Sequence, residues 1–187
     1  MRTSVSAAVA KERFGNMNDS EHDTICPWSD LPRDGAELEV HDFITTQLSA
    51  LMSLLRRKVT LSYANEFDLS VSEWRVLSLI AHANTLPFGE LVAQSTSDKA
   101  LVSRTIRLLE QRDLIQIHPE SEHAKKKIAC TIRPNGQVLH DKVIVIARKK
   151  QADVLRVLSE KERVSLYRAV TKLRSYLEEF EDDDSES

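Results

Sequence analysis

Glycine is scarce in this chain, with four among 187 residues, and no two stand close together. There is therefore no glycine-rich loop of the kind that cradles nucleotide phosphates. Cysteine is scarcer: Cys26 and Cys130 make no disulfide framework. No apolar run approaches the roughly 18 residues of a transmembrane helix, so no membrane partner is expected. The opening MRTSVSAAVAKERFGN lacks an apolar block long enough for a signal peptide, and the expected compartment is cytoplasmic. Six histidines show no zinc-type ligand spacing, and those beside the hairpin loop described below, His118 and His123, read as solvated. Paired acids occur only in the tails, and no Ser/His/Asp or Cys/His set is legible. An enzyme is thus not expected, nor is a metal or cofactor.

What is present is 41% hydrophobic and 29% charged residues, the composition of one globular domain with extensions. Net charge is −3, but it is unevenly spread. Between Lys99 and Arg133 eight Lys/Arg face four Asp/Glu, whereas the first forty residues hold four basic and eight acidic side chains. A local basic patch is the electrostatic footprint of a nucleic-acid binder, whatever the total charge.

That patch contains the most sharply divided stretch of the chain, DKALVSRTIRLLEQRDL. Wound at about 100° per residue, it puts Leu101, Val102, Thr105, Ile106, Leu108 and Leu109 on one side. Lys99, Ala100, Ser103, Arg104, Arg107 and Gln111 fall on the other. Ser97 or Asp98 caps the start by accepting from orphan backbone N–H groups. Upstream, FGELVAQST is a short periodic segment with Leu91 and Val92 inward. Helix, tight turn and amphipathic helix make a helix-turn-helix whose second helix reads a duplex. Ser97, Asp98, Lys99, Ala100, Ser103, Arg104 and Arg107 are the expected DNA-binding residues there. An ordinary helical hairpin is the plain alternative.

The chain in order begins with residues 1–37, a polar extension with Pro27, Pro32 and Gly35 that is expected to be flexible. Trp28 and Ile25 in it could dock on the body or on a partner subunit. Residues 38–64 read as one long helix, with Ile44, Leu48, Leu51, Leu55 and Val59 at spacings of three and four. Its length, about 40 Å at 1.5 Å per residue, exceeds what one small domain covers, so a second chain is expected against it. Ser70-Val71-Ser72-Glu73 is a capping box, with Leu69 and Trp74 at staple positions. A helix then runs from Val71 to about Ala83, ended by Asn84, and Pro87 suits the first position of the next.

After Arg112-Asp113 the period changes to two. Leu114–His118 and Lys127–Arg133 form a two-stranded wing, with Ile128, Cys130 and Ile132 on one face. Lys125, Lys126 and Lys127 near its tip are expected to meet phosphates or a minor groove. A helix from Pro134 to about Leu158 follows, then a second capping box, Ser159 with Glu162, and a last helix to Phe180. Residues 181–187 read as an acidic disordered tail.

On SDKALVSRTIRLLEQRDLI, the wing and the following IRPNGQ, the chain from about Leu38 to Phe180 resembles the MarR family of transcriptional regulators. The resemblance implies a mainly α (α+β winged helix) fold: a six-helix MarR-like subunit, 38–180, with a two-stranded wing. The winged helix-turn-helix would span about 67–133. Helices 38–64 and 134–180 would dimerise the protein, and the fourth helix would enter a major groove. A homodimer implies a pseudo-palindromic operator with half-sites about one helical turn apart. The family default is a repressor, released by a small-molecule effector such as an aromatic acid or its CoA thioester. The family pocket lies where the first, second and fifth helices meet the winged lobe. Candidate ligand-binding residues are His41, Leu48, Met52, Trp74, Arg75 and His82, with others near Lys142–Ile146. Arg75 can pair a carboxylate bidentately, or serve in a helix ion pair.

The chain departs from the family pattern at the wing tip, where SEHAKKK puts Ala124 near the usual Asp. It departs again at Ile132-Arg133, which replaces Leu-Thr and weakens the expected cap of the next helix. Two other functions are open at this point. A thiol-redox regulator would need a reactive cysteine in an exposed, electropositive setting, whereas Cys130 is expected to be buried. A winged-helix protein-interaction module would dock an acidic partner on the same basic face.

Overall fold

The computed structural model describes residues 26–121 and 127–184. The chain divides after Ala50 into two compact units.

In the first unit, residues 26–43 follow tight turns. Ser29 N–H donates to Cys26 O at 3.0 Å, and Gly35, at φ +64°, turns the chain where a side chain would be strained. The Trp28 indole N–H donates to Asp42 O at 2.7 Å, beside a 3-10 turn at Val40–Asp42. Phe43 then adopts ψ 132°, which no helix accommodates. The first long helix, α1, therefore begins at Ile44 and not at residue 38, although Val40 and Phe43 fit its period.

Helix α1 comprises Ile44–Leu55, a π-helical stretch Arg56–Thr60 and Leu61–Ala64. Leu61 N–H donates to Arg56 O, five residues back, which marks the wider turn. Residues 44–54 of α1 are exposed, while Val59 within the π stretch and Tyr63 and Ala64 past it are buried.

The second unit holds the core. Helix α2 spans Val71–Ala83 and starts on the predicted capping box: Glu73 N–H donates to Ser70 Oγ at 3.1 Å, and Ser70 N–H to Glu73 Oε2 at 2.9 Å. Leu69 and Trp74 are both buried beside it, as a staple requires. Asn84 ends it at φ 64°. Strand β1, Thr85–Pro87, comes next and has no counterpart in the expected two-stranded wing. Three residues are too few to show a period of two, so β1 is legible only from its pairing. Pro87 closes the strand and precedes helix α3 as its N-cap, one position earlier than expected.

Helices α3 (Phe88–Ser95) and α4 (Lys99–Gln111) form the helix-turn-helix. Strands β2 (Ile115–Pro119) and β3 (Ile128–Ile132) follow, and the antiparallel sheet has the order β1-β3-β2. Ile117 and Leu86 both pair with Cys130, from opposite sides. Pro87, with no N–H to give, is tolerated because β1 is an edge. Helix α5 runs from Pro134 to Leu155 and α6 from Glu160 to Asp184, joined through the second capping box at Ser159. No Gly or Pro interrupts α6, so it continues through 181–184, residues expected to be tail. The core gathers Leu69, Leu77, Ile80, Leu91, Val102, Ile106, Leu109, Ile115 and Val143. No described helix is long and apolar enough to cross a membrane.

Candidate nucleic-acid interface and adjoining cleft

The reader helix α4 buries Val102, Thr105, Ile106 and Leu109, as its period predicted. Leu108 is the exception. At 49% exposed it lies among the outward residues, because the buried stripe is narrower than the apolar set. Asp98, rather than Ser97, is the N-cap, accepting from Leu101 N–H at 2.8 Å. Ser97 is half-buried and donates to Ser95 O at 3.3 Å. Lys99, Ala100, Arg104 and Arg107 are exposed, and Ser103 is partly so. Among the described residues, Lys99, Arg104 and Arg107 have no hydrogen-bond or ion-pair partner. Lys127 is exposed at the head of β3; Lys125 and Lys126 lie outside the described residues, as do Glu122, His123 and Ala124.

Arg75, Arg112 and Arg133, by contrast, are engaged. Arg112, at the end of α4, donates to Asp68 O at 2.9 Å and to Glu73 Oε1 at 3.0 Å. Burial pushes the Glu73 carboxyl up, but hydrogen bonds from Ser70 and then Arg112 outweigh it and hold it below its ordinary 4.5. Arg75, two residues after Glu73 on α2, donates to Ser95 O at 3.0 Å and Thr96 Oγ1 at 2.8 Å. Helix α2 thus holds the end of α4 and the turn that precedes it. Glu110 ties α4 to the wing by accepting from Ile117 N–H at 2.7 Å.

The wing is rooted on α5. Asp113, left-handed at φ 58°, pairs with Arg133 and accepts from Asn135 Nδ2 at 2.9 Å. The helix start lacks a side-chain cap, as the Ile132-Arg133 departure predicted. Gly136 is needed there: a Cβ would collide with the Leu114 carbonyl and meet Ile132 Cδ1 at 2.8 Å. Across the sheet, His118 Nε2, Thr131 Oγ1 and Thr85 Oγ1 lie in a chain of 2.8 Å hydrogen bonds.

Beside this lobe opens a cleft of about 920 Å³. Met52, Trp74, Arg75 and His82 line it together, with Thr96, Ser97 and Leu101 from the helix-turn-helix. From α5 it takes Gln151, not Lys142–Ile146. His41 and Leu48 belong to the first unit and are exposed there; His41 lies near Glu39 and Asp42. Trp74 is edge-on to Tyr63 at 5.9 Å and stacks on His140 at 5.7 Å. The lining includes Arg56, Arg75 and His82 but no Asp or Glu, so it favours an anion.

Cys130 is fully buried, and burial, then the Glu110 charge, pushes its thiol up to about 11. Cys26 is exposed. Among the described residues no three His, Cys, Asp or Glu side chains gather as a metal site.

A capped amphipathic helix with free outward cations, preceded by a tight turn and followed by a hairpin wing, defines a DNA-binding winged helix-turn-helix. Residues 67–126 match the model of the MarR family. A MarR/EmrR family regulator from Acinetobacter sp. ADP1 has 25% identity over 76% of this chain and 99% of its own, with a TM-score of 0.67. BpsR of Bordetella bronchiseptica, whose DNA binding is regulated by 6-hydroxynicotinic acid, has 17% identity over 73% and 96%, with a TM-score of 0.65. NadR in complex with 4-hydroxyphenylacetate has 17% identity over 73% and 95%, with a TM-score of 0.62. No curated protein sequence matches the chain. Sequence match and fold converge: residues 67–126 match the MarR family model, and the chain has the winged-helix fold of the MarR-family structures it resembles.

Proposed function

We propose that the chain is a sequence-specific double-stranded DNA-binding regulator that works as a homodimer and represses until a small anionic aromatic ligand enters the cleft. The observation that carries this reading is the outer face of α4, where Lys99, Arg104 and Arg107 are exposed and unpartnered among the described residues while Arg75, Arg112 and Arg133 are all engaged. Ser103 and Ala100 keep that face low enough to approach bases. Each arginine–guanine pair would contribute about 1–3 kcal/mol of discrimination. Asp98 and Ser97 act by fixing where the helix starts, and Lys125, Lys126 and Lys127 of the wing add phosphate contacts.

The dimer is supported by apolar side chains left open on α1 (Ile44, Leu48, Leu51, Met52) and α6 (Val164, Val170, Leu173, Leu177). Such faces mark association surfaces, and a two-fold partner would cover both copies alike. The ligand class is supported by the cleft's cations and aromatic Trp74 and Tyr63, and by the aromatic acids of two structural neighbours, 6-hydroxynicotinic acid with BpsR and 4-hydroxyphenylacetate with NadR. A thiol-redox mechanism finds no support in Cys130, which is buried and protonated at neutral pH.

The test is selection of genomic fragments by the purified protein, followed by anisotropy titration of the enriched sequence. The expected result is a pseudo-palindrome with half-sites about 34–36 Å apart, bound at least 1,000-fold tighter than a random duplex. Adding 4-hydroxyphenylacetate or 6-hydroxynicotinate should raise thermal stability and release the fragment. No enriched sequence at low salt would refute DNA reading, and no stabilisation by either acid would refute the ligand class.

A further inference from the structure

Thr96 is an unusual residue to find at the end of α3. It is β-branched yet left-handed, at φ 52° and ψ 32°, a conformation that favours glycine or asparagine. Two residues later Asp98 caps α4, so the Thr96 backbone aims the reader helix. Apart from that turn's own atoms, one side chain bonds to it among the described residues. Arg75 Nη1 gives one hydrogen to Ser95 O at 3.0 Å and the other to Thr96 Oγ1 at 2.8 Å. The same Arg75 lines the cleft, and so do Thr96, Ser97 and Leu101. The guanidinium thus stands between a strained turn and an open, carboxylate-free space.

We infer that Arg75 is the positioning residue that connects the two: with the cleft empty it braces Thr96 in the left-handed conformation, and a carboxylate in the cleft draws it away. Its acceptors in the turn are neutral oxygens, whereas a carboxylate makes shorter, charge-assisted bonds to the same fork. Once the brace is gone, Thr96 relaxes towards the backbone region its side chain prefers. The start of α4 then shifts, and Lys99, Ala100 and Ser103 lose their register on the duplex. A ligand acts only through such a difference between two states. This inference rests on the proposed function for its ligand, but the brace itself is tested without one.

The experiment uses the full chain with Arg75→Ala, Thr96→Gly and the pair. Hydrogen exchange is read at the amides of 96–101, and binding is measured to the selected fragment and to a random duplex. Arg75→Ala should speed exchange there at least tenfold and weaken the selected fragment at least tenfold, leaving the random duplex within twofold. Glycine accepts φ > 0 without a brace, so adding Thr96→Gly should recover most of the lost affinity. With 4-hydroxyphenylacetate at a concentration that shifts the wild-type melting temperature, wild-type exchange at 96–101 should rise and the Arg75→Ala protein should not change further. Unchanged exchange in Arg75→Ala would overturn the brace, as would equal loss on both duplexes. A bound acid that leaves wild-type exchange at 96–101 unaltered would overturn the competition. An acid that produces no melting shift counts against the ligand class proposed above, and the Arg75→Ala comparison still decides the brace.

Discussion

The winged lobe and the helices that flank it are finished to different degrees. In the lobe the apolar residues of α2, α3, α4 and the sheet close on one another, and the polar ones are tied by named bonds: Arg112 to Glu73, Glu110 to Ile117 N–H, Asp113 to Arg133 and Asn135. On the flanks, nearly all described side chains of α6 are exposed, and the apolar stripe of α1 is buried only from Val59 of the π stretch onward. The lobe carries its own stability, while the flanks present surface that only another body can bury. Their energetics should separate accordingly.

The largest effect is expected where lobe and flank are joined. Replacing Gly136 with Ala forces a methyl against the Leu114 carbonyl and Ile132. Overpacking of this kind costs about 3 kcal/mol, and urea unfolding should show it as a lower midpoint. A loss of under 1 kcal/mol would mean that the wing root yields easily. Next comes a charge on the flank. Leu51→Glu and Leu173→Glu are exposed changes, about 48% and 40%, so the subunit's far-ultraviolet circular dichroism should persist. Dissociation of the proposed dimer, read by sedimentation, should nevertheless strengthen at least a hundredfold, from burying unpaired carboxylates. If both variants remain dimeric, the two regions do not differ as argued.

Within the lobe, the free and the engaged arginines should part in the same way. Arg107→Ala removes no intramolecular bond among the described residues and should leave stability within about 0.5 kcal/mol. Specific fragment affinity should fall by about 1–3 kcal/mol, read by anisotropy at fixed salt. Equal affinity in wild type and variant would remove Arg107 from the reading face.

These contrasts also separate what the sequence makes legible from what it hides. Helix α4, its cap and the capping boxes of α2 and α6 rest on local spacing, and local spacing is visible in a string of letters. The start of α1 was not, because Phe43 continues the apolar period while its backbone leaves the helix. Strand β1 exists only through Leu86 opposite Cys130, a pairing 44 residues distant in the chain. Arg75 shows the same limit: both readings drawn from its neighbours, a ligand carboxylate or a helix ion pair, overlooked acceptors at 95 and 96. The cleft could be placed by family resemblance, but its reach to Thr96 and Ser97 depends on packing. Leu108 was misassigned because a hydrophobic letter carries no information on how wide the covering surface is.

The smallest expected effect concerns Glu73, which belongs at once to the local and the long-range set. It closes the capping box of α2 and also receives Arg112 from the end of α4. Glu73→Gln keeps a side chain able to accept from Ser70 N–H but removes the charge that Arg112 meets. The cost at pH 7 should be about 1 kcal/mol. Because the folded carboxyl titrates below its ordinary 4.5, its contribution is fully present above that value and is lost as pH falls through the lowered pKa. Stability of wild type and variant, measured by urea unfolding, should therefore converge as the solution is acidified below that ordinary value and through the lowered one. A difference that stays constant down to pH 3 would assign the loss to the cap geometry alone, and would leave Arg112 held by Asp68 O rather than by charge.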